Sequence, residues 1–173
     1  MLSVAQLLQT LHYHQQIYNL PGSSNQIVLI ASKASILEVC GWVEQAMDLL
    51  VNDCATRCGL SPLRLKSVND QYVTPTYGFH YKKHFERMLI SVVGFKVLER
   101  VEIAAPAEIT ALKGLLGDLN MLRNHYAHTH FDALSPYPEG RTSIPTPSVM
   151  IAHANTAKIG LNAIEVQLKA TGH

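Results

Sequence analysis

Apolar residues recur along most of this chain at steps of three, four and seven, the period of one face of an α-helix. Over residues 3 to about 19, Val4, Leu7, Leu8 and Leu11 share a face, and Ser3 is placed to cap the helix start. Leu20-Pro21-Gly22-Ser23-Ser24 then breaks the pattern, because Pro and Gly interrupt helical hydrogen bonding and Ser opens the next helix. The second pattern is the longest, over about residues 25–55, with Leu29, Ile36, Cys40, Val43, Met47, Leu50 and Cys54 in one stripe. Its far side carries Ala31, Glu38, Trp42 and Gln45, while Ala34, Ser35 and Gly41 are small enough to admit another backbone. Trp42 there is either part of a second contact surface or an exposed ring beside a capping acid.

Residues 56–80 hold no sustained period and are punctuated by Gly59, Pro62, Pro75 and Gly78. They read as a long irregular connection, a kind of segment that often carries function. Residues 80–101 predict a single helix burying Phe85, Met88, Leu89, Val92, Val93, Phe95 and Leu98. A further helix is predicted over about 106–127, with Pro106 in its first turn and Ile109, Leu112, Leu116, Leu119, Leu122 and Tyr126 in its stripe. Residues 135–140, with Pro145 and Pro147, read as a loop. The last helix is predicted over about 148–168, turning Ile151, Ala154, Ala157, Ile164 and Leu168 inward. Strand patterns are nearly absent, and there are no repeats or low-complexity segments. The expected fold is all-α: an up-and-down bundle of four to five helices, with residues 1–173 forming one domain.

Composition narrows the class. Hydrophobic residues make up 47% of the 173 and charged residues 16%, well below the usual charged share of about 25%, which excludes a disordered chain. Fourteen Lys+Arg against thirteen Asp+Glu give +1, which excludes a nucleic-acid binder that depends on bulk charge. The charge is uneven, however. Residues 57–100 carry eight basic and three acidic side chains, a net +5, between flanks of −3 over 1–56 and −3 over 101–140. That basic segment is either a solvated helix and loop face or a phosphate-attracting patch. The three cysteines read as reduced thiols, Cys40 and Cys54 in the core, and Cys54 with Cys58 falls two ligands short of a zinc site. The N-terminus has no basic region, and the closest approach to an unbroken apolar run, 88–98, is short and contains Lys96. A cytoplasmic protein with neither signal peptide nor membrane partner is expected.

Chemistry concentrates in residues 122–132, Leu-Arg-Asn-His-Tyr-Ala-His-Thr-His-Phe-Asp. Arg123 projects into the apolar stripe of its helix, where a Leu or Ile would be expected. It is therefore either paired, with Glu38 or Glu44, or placed to hold an anion. Asn124 and His128 are four apart and share a helix face, so the amide can orient the imidazole. Arg123 and His128 are about 140° apart on an ideal helix. They converge only if the helix ends between them or if two copies meet. Arg, Asn and His suit RNA cleavage: a base deprotonates the ribose 2′-OH, a cation stabilises the phosphorane, and an acid protonates the leaving 5′ oxygen. A metal site from His125, His128, His130 and Asp132 is the weaker reading, because no HExxH is present and the ligands need a turn to converge. His80 and His84, one helical turn apart, either chelate or open a solvated helix with Tyr81 and Lys82 that faces RNA. No metal or cofactor is expected.

Arg123-Asn124-x-x-x-His128, late in a helix of an all-α domain of this size, resembles the signature of the HEPN superfamily. The resemblance implies a metal-independent endoribonuclease acting as a homodimer, with the two motifs meeting at a cleft between protomers. It implies Arg123, Asn124 and His128 as catalytic residues and RNA as substrate. Such domains serve as toxins of toxin–antitoxin pairs, in phage defence and in RNA processing, so an antitoxin is an implied partner. One toxin branch has a Tyr two residues beyond the motif His; His130 stands there in this chain. Glu38, on the acid-bearing second helix, and Tyr126, Lys82 and Lys83 are candidate substrate contacts. Some family members have lost activity and act as binding modules, which is the alternative reading.

Overall fold

The computed structural model describes residues 3–128 and 143–173. Among these the chain is all-helical, with α1 (Ala5–Tyr18), α2 (Asn25–Arg57), α3 (Pro62–Val68), α4 (Glu86–Val93), α5 (Phe95–Ala104), α6 (Pro106–His128) and α7 (Pro147–Ala170). Two π-helical turns, Asn69–Val73 and Tyr81–Phe85, lie between α3 and α4. The four long helices make the core: α1 packs on α2 and α7, α2 also packs on α6 and α7, and α6 packs on α7. Leu11, Ile36, Met47, Leu50, Leu112, Leu116 and Leu119 are fully buried between them. Each enters the core because the helical period brings one stripe of every long helix inward.

Helix α2 is buried on two sides. The predicted stripe is buried from Ile36 to Cys54, with Leu29 only half-buried. Ala31, Ser35 and Trp42 on the far side are buried as well, because α1 covers them. Trp42 Nε1 donates to the Ser3 carbonyl at 3.3 Å, and His14 Nδ1 lies 3.1 Å from Ser35 Oγ. The second contact surface is thus internal to the chain, while Glu38 and Gln45 stay exposed. By length and composition alone, α2 is long and apolar enough to cross a membrane. The criterion of an unbroken apolar run points instead to 88–98. Within the bundle, fourteen residues of α2 are buried against other helices.

The middle of the chain departs from expectation. Residues 56–80 are not irregular throughout, because α3 and a π-turn occupy 62–73. Pro62 suits a helix start, and buried Val68 and Val73 are five residues apart, a spacing outside the steps of three and four that mark an α-helix. The single helix predicted over 80–101 is a π-turn, α4 and α5. It breaks at Gly94, whose φ of 76° lies in the left-handed region that favours glycine. The break re-aims α5, so Phe95, expected in the core, is 75% exposed. These divisions turn four to five expected helices into seven among the described residues. Helix α7 begins one residue before its predicted start, where Thr146 Oγ1 accepts from the Val149 N–H at 3.4 Å and Pro147 fills the first position. The loop predicted over 135–140 lies outside the described residues.

Candidate functional site

Arg123 is where the helical pattern places it, on the flank of α6 that faces α2. Its guanidinium Nη2 lies 3.6 Å from Glu44 Oε1, with the two side chains 34% and 29% exposed. Glu44, not Glu38, is therefore the partner. A half-exposed pair at this distance is weak, about 0.2–1 kcal/mol, and it leaves other guanidinium donors available. Arg123 lines a cleft of about 310 Å³ whose walls are Gly41, Gln45 and Asp48 of α2 and the 73–78 segment. Residues 73–78, which carry no charged side chain, are the part of the 57–100 stretch that lines this cleft.

Asp48 is a site residue that the Arg-Asn-His pattern does not include. It sits one helical turn beyond Glu44 in the same cleft, and its carboxyl is pushed up to about 6 by burial and then by the negative charge of Glu44. Its only sequence signal is an acid pair, Glu44 and Asp48, four apart on α2.

Helix α6 is continuous through His128. Asn124 and His128 share a face, with His128 exposed, whereas Arg123 points about 140° away from His128. One chain therefore does not bring Arg123 and His128 together. Tyr126 is 5% exposed and belongs to the core, with His125 edge-on against it at 4.8 Å between centroids. It packs in the core, as its place in the apolar stripe of α6 predicts. Glu38 lines a different cleft, between α1 and α2, which meets the Arg123 cleft at Gly41 and Gln45.

Lys82 and Lys83 are exposed on the second π-turn, and Lys83 lines a third cleft of about 710 Å³ that shares Thr76 and Tyr77 with the Arg123 cleft. His80 and His84 do not face each other as a chelating pair. His84 Nδ1 accepts the His80 backbone N–H at 3.1 Å, and His80 Nδ1 accepts the Lys83 N–H at 3.5 Å, so both rings hold the turn. A Cβ on Gly78 would sit 2.7 Å from His84 Cε1, so only glycine lets the 73–78 wall approach this ring. Burial above all, and then the positive charges of Lys83 and Arg87, hold the His84 pKa below its ordinary value. The turn is anchored from below by buried Tyr81, whose hydroxyl donates to Glu102 at 2.8 Å while Lys113 pairs with Glu102 at 2.9 Å.

Cys40 and Cys54 are buried, Cys58 is half-buried, and none is in a disulfide. Burial above all pushes the Cys40 and Cys54 thiols up to about 12, which leaves them unreactive. Among the described residues, no group of three His, Cys, Asp or Glu side chains is placed to hold a metal ion. His130 and Asp132 lie outside the described residues. No family model, curated protein or solved structure matches the chain.

Proposed function

We propose that this all-helical chain is a HEPN-like bundle and acts in the cytoplasm as a metal-independent endoribonuclease, in a toxin–antitoxin or phage-defence setting. One observation carries the reading. Arg123 interrupts an apolar helix stripe, yet keeps about a third of its side chain exposed at an open cleft. Asn124 and His128 stand in the final turns of the same helix, His128 in solvent. In the proposed reaction, His128 takes the proton of the ribose 2′-OH or returns one to the leaving 5′ oxygen. Arg123 stabilises the charge on the phosphorane oxygens, and Asn124 orients the imidazole or the phosphate. The angle between Arg123 and His128 favours a homodimer, in which the Arg of one copy works with the His of the other.

The test is cleavage of several RNAs in the presence of EDTA. Wild type is expected to cut, and Arg123→Ala and His128→Ala are each expected to lose about 100-fold or more in rate. Absence of wild-type cleavage, with all three proteins equally soluble, would favour a non-catalytic HEPN-like binding module. Cleavage by wild type that chelation abolishes would favour a metal site instead.

A further inference from the structure

The 710 Å³ cleft between the 71–77 segment and α4 has the composition of a single-strand nucleic-acid site. Three aromatic rings line it, Tyr72, Tyr77 and Phe95, and they are 42%, 82% and 75% exposed. Rings left that far in water on a chain with a well-filled core are available for stacking. Lys83, His84 and Arg87 line the same cleft, and no acidic side chain lines it among the described residues. Nor is Lys83 or Arg87 in an ion pair among the described residues. His84 Nδ1 accepts a backbone N–H, which puts the proton of the neutral ring on Nε2 as a hydrogen-bond donor.

We infer that this cleft binds single-stranded RNA. Phosphates sit between Lys83 and Arg87, within reach of His84, and unpaired bases stack on Tyr77, Phe95 and Tyr72. Cations tracking a backbone beside exposed rings are the general means of holding single strands, because every base has a face to stack whatever its sequence. A duplex buries those faces, so the site discriminates against it. Tyr77 and Thr76 line both this cleft and the Arg123 cleft. A strand leaving the larger cleft past Tyr77 enters the one that Arg123 lines. The site deepens the ribonuclease reading by naming an unpaired substrate, but binding here needs no cleavage and can be measured without it.

The experiment is fluorescence anisotropy of a 5′-labelled mixed-sequence RNA 10-mer with the full chain in EDTA. Single-stranded RNA is expected to bind more tightly than the same strand in a duplex. Tyr77→Ala and Phe95→Ala should each weaken binding by about tenfold, as removal of one stacking ring does. Lys83→Ala with Arg87→Ala should lower the slope of log affinity against log salt by about 1.4, or 0.7 for each phosphate no longer neutralised. These side chains are not part of the core, and unchanged thermal melting would confirm that the variants fold. Binding that is undetectable, or indifferent to Tyr77, Phe95 and the two cations, would overturn the site even if Arg123-dependent cleavage is found. Tyr77-dependent binding without cleavage would instead keep the site and overturn the ribonuclease.

Discussion

Arg123 is legible as an anomaly in the sequence alone, because a cation in an apolar stripe needs a partner or an anion. Which partner it takes is not legible there, since Glu38 and Glu44 lie on the same helix and only the rotation of α2 against α6 selects Glu44. Asp48 is legible only as half of an acid pair four apart, because the 73–78 segment and Arg123 that complete its cleft lie far from it in sequence. Its folded carboxyl titrates near 6 against an ordinary 3.8, so the folded chain binds that proton more tightly than the unfolded chain does. Stability from this group is lost as pH rises from about 4 to about 6. Asp48→Asn should therefore be more stable than wild type at about pH 7, with the difference vanishing below about pH 4. Urea melts of both proteins across this range would show it, and a difference independent of pH would mean that Asp48 ionises normally in the fold.

At the scale of elements, the long helices follow their stripes and the short ones do not. Periodicity needs about three turns to show, and α3, α4 and the π-turns are shorter than that or run at another pitch. Gly94 reads as a tolerable residue inside one helix, but its backbone ends α4 and starts α5. Packing likewise gives one substitution opposite signs on neighbouring helices. A Cβ at Gly160 of α7 would lie 2.7 Å from Leu112 Cβ of α6, so Gly160→Ala should destabilise by about 1–2 kcal/mol despite better helix propensity. Gly114 and Gly117 on α6 are exposed, with nothing near a new Cβ, so Ala at either should stabilise by about 0.5–1 kcal/mol. Urea midpoints of the three variants check both signs.

At the scale of the molecule, the proposed composite site makes a sharper demand than single mutants do. If Arg123 of one copy serves His128 of the other, a mixed dimer of Arg123→Ala and His128→Ala chains keeps one intact site. Co-refolding the two inactive variants in equal amounts should restore about a quarter of wild-type activity, since half the dimers are mixed and each has one working site of two. No restoration, or a strictly monomeric chain in sedimentation, would end the composite-site proposal.

By itself the sequence determined that the chain is helical, which stripes of the four long helices turn inward, and that Arg123 is out of pattern. These follow from local period and residue chemistry, which need no knowledge of neighbours in space. Only the tertiary structure decided that α1 covers Trp42 and that Glu44 takes Arg123. It also decided that residues 73–78 line the Arg123 cleft, and that Tyr72, Tyr77 and Phe95 gather around Lys83 and Arg87. The aromatic and basic side chains of that cleft are scattered over 72–95 with no shared period. They meet because a π-turn and the positive φ of Gly94 fold that stretch back on itself.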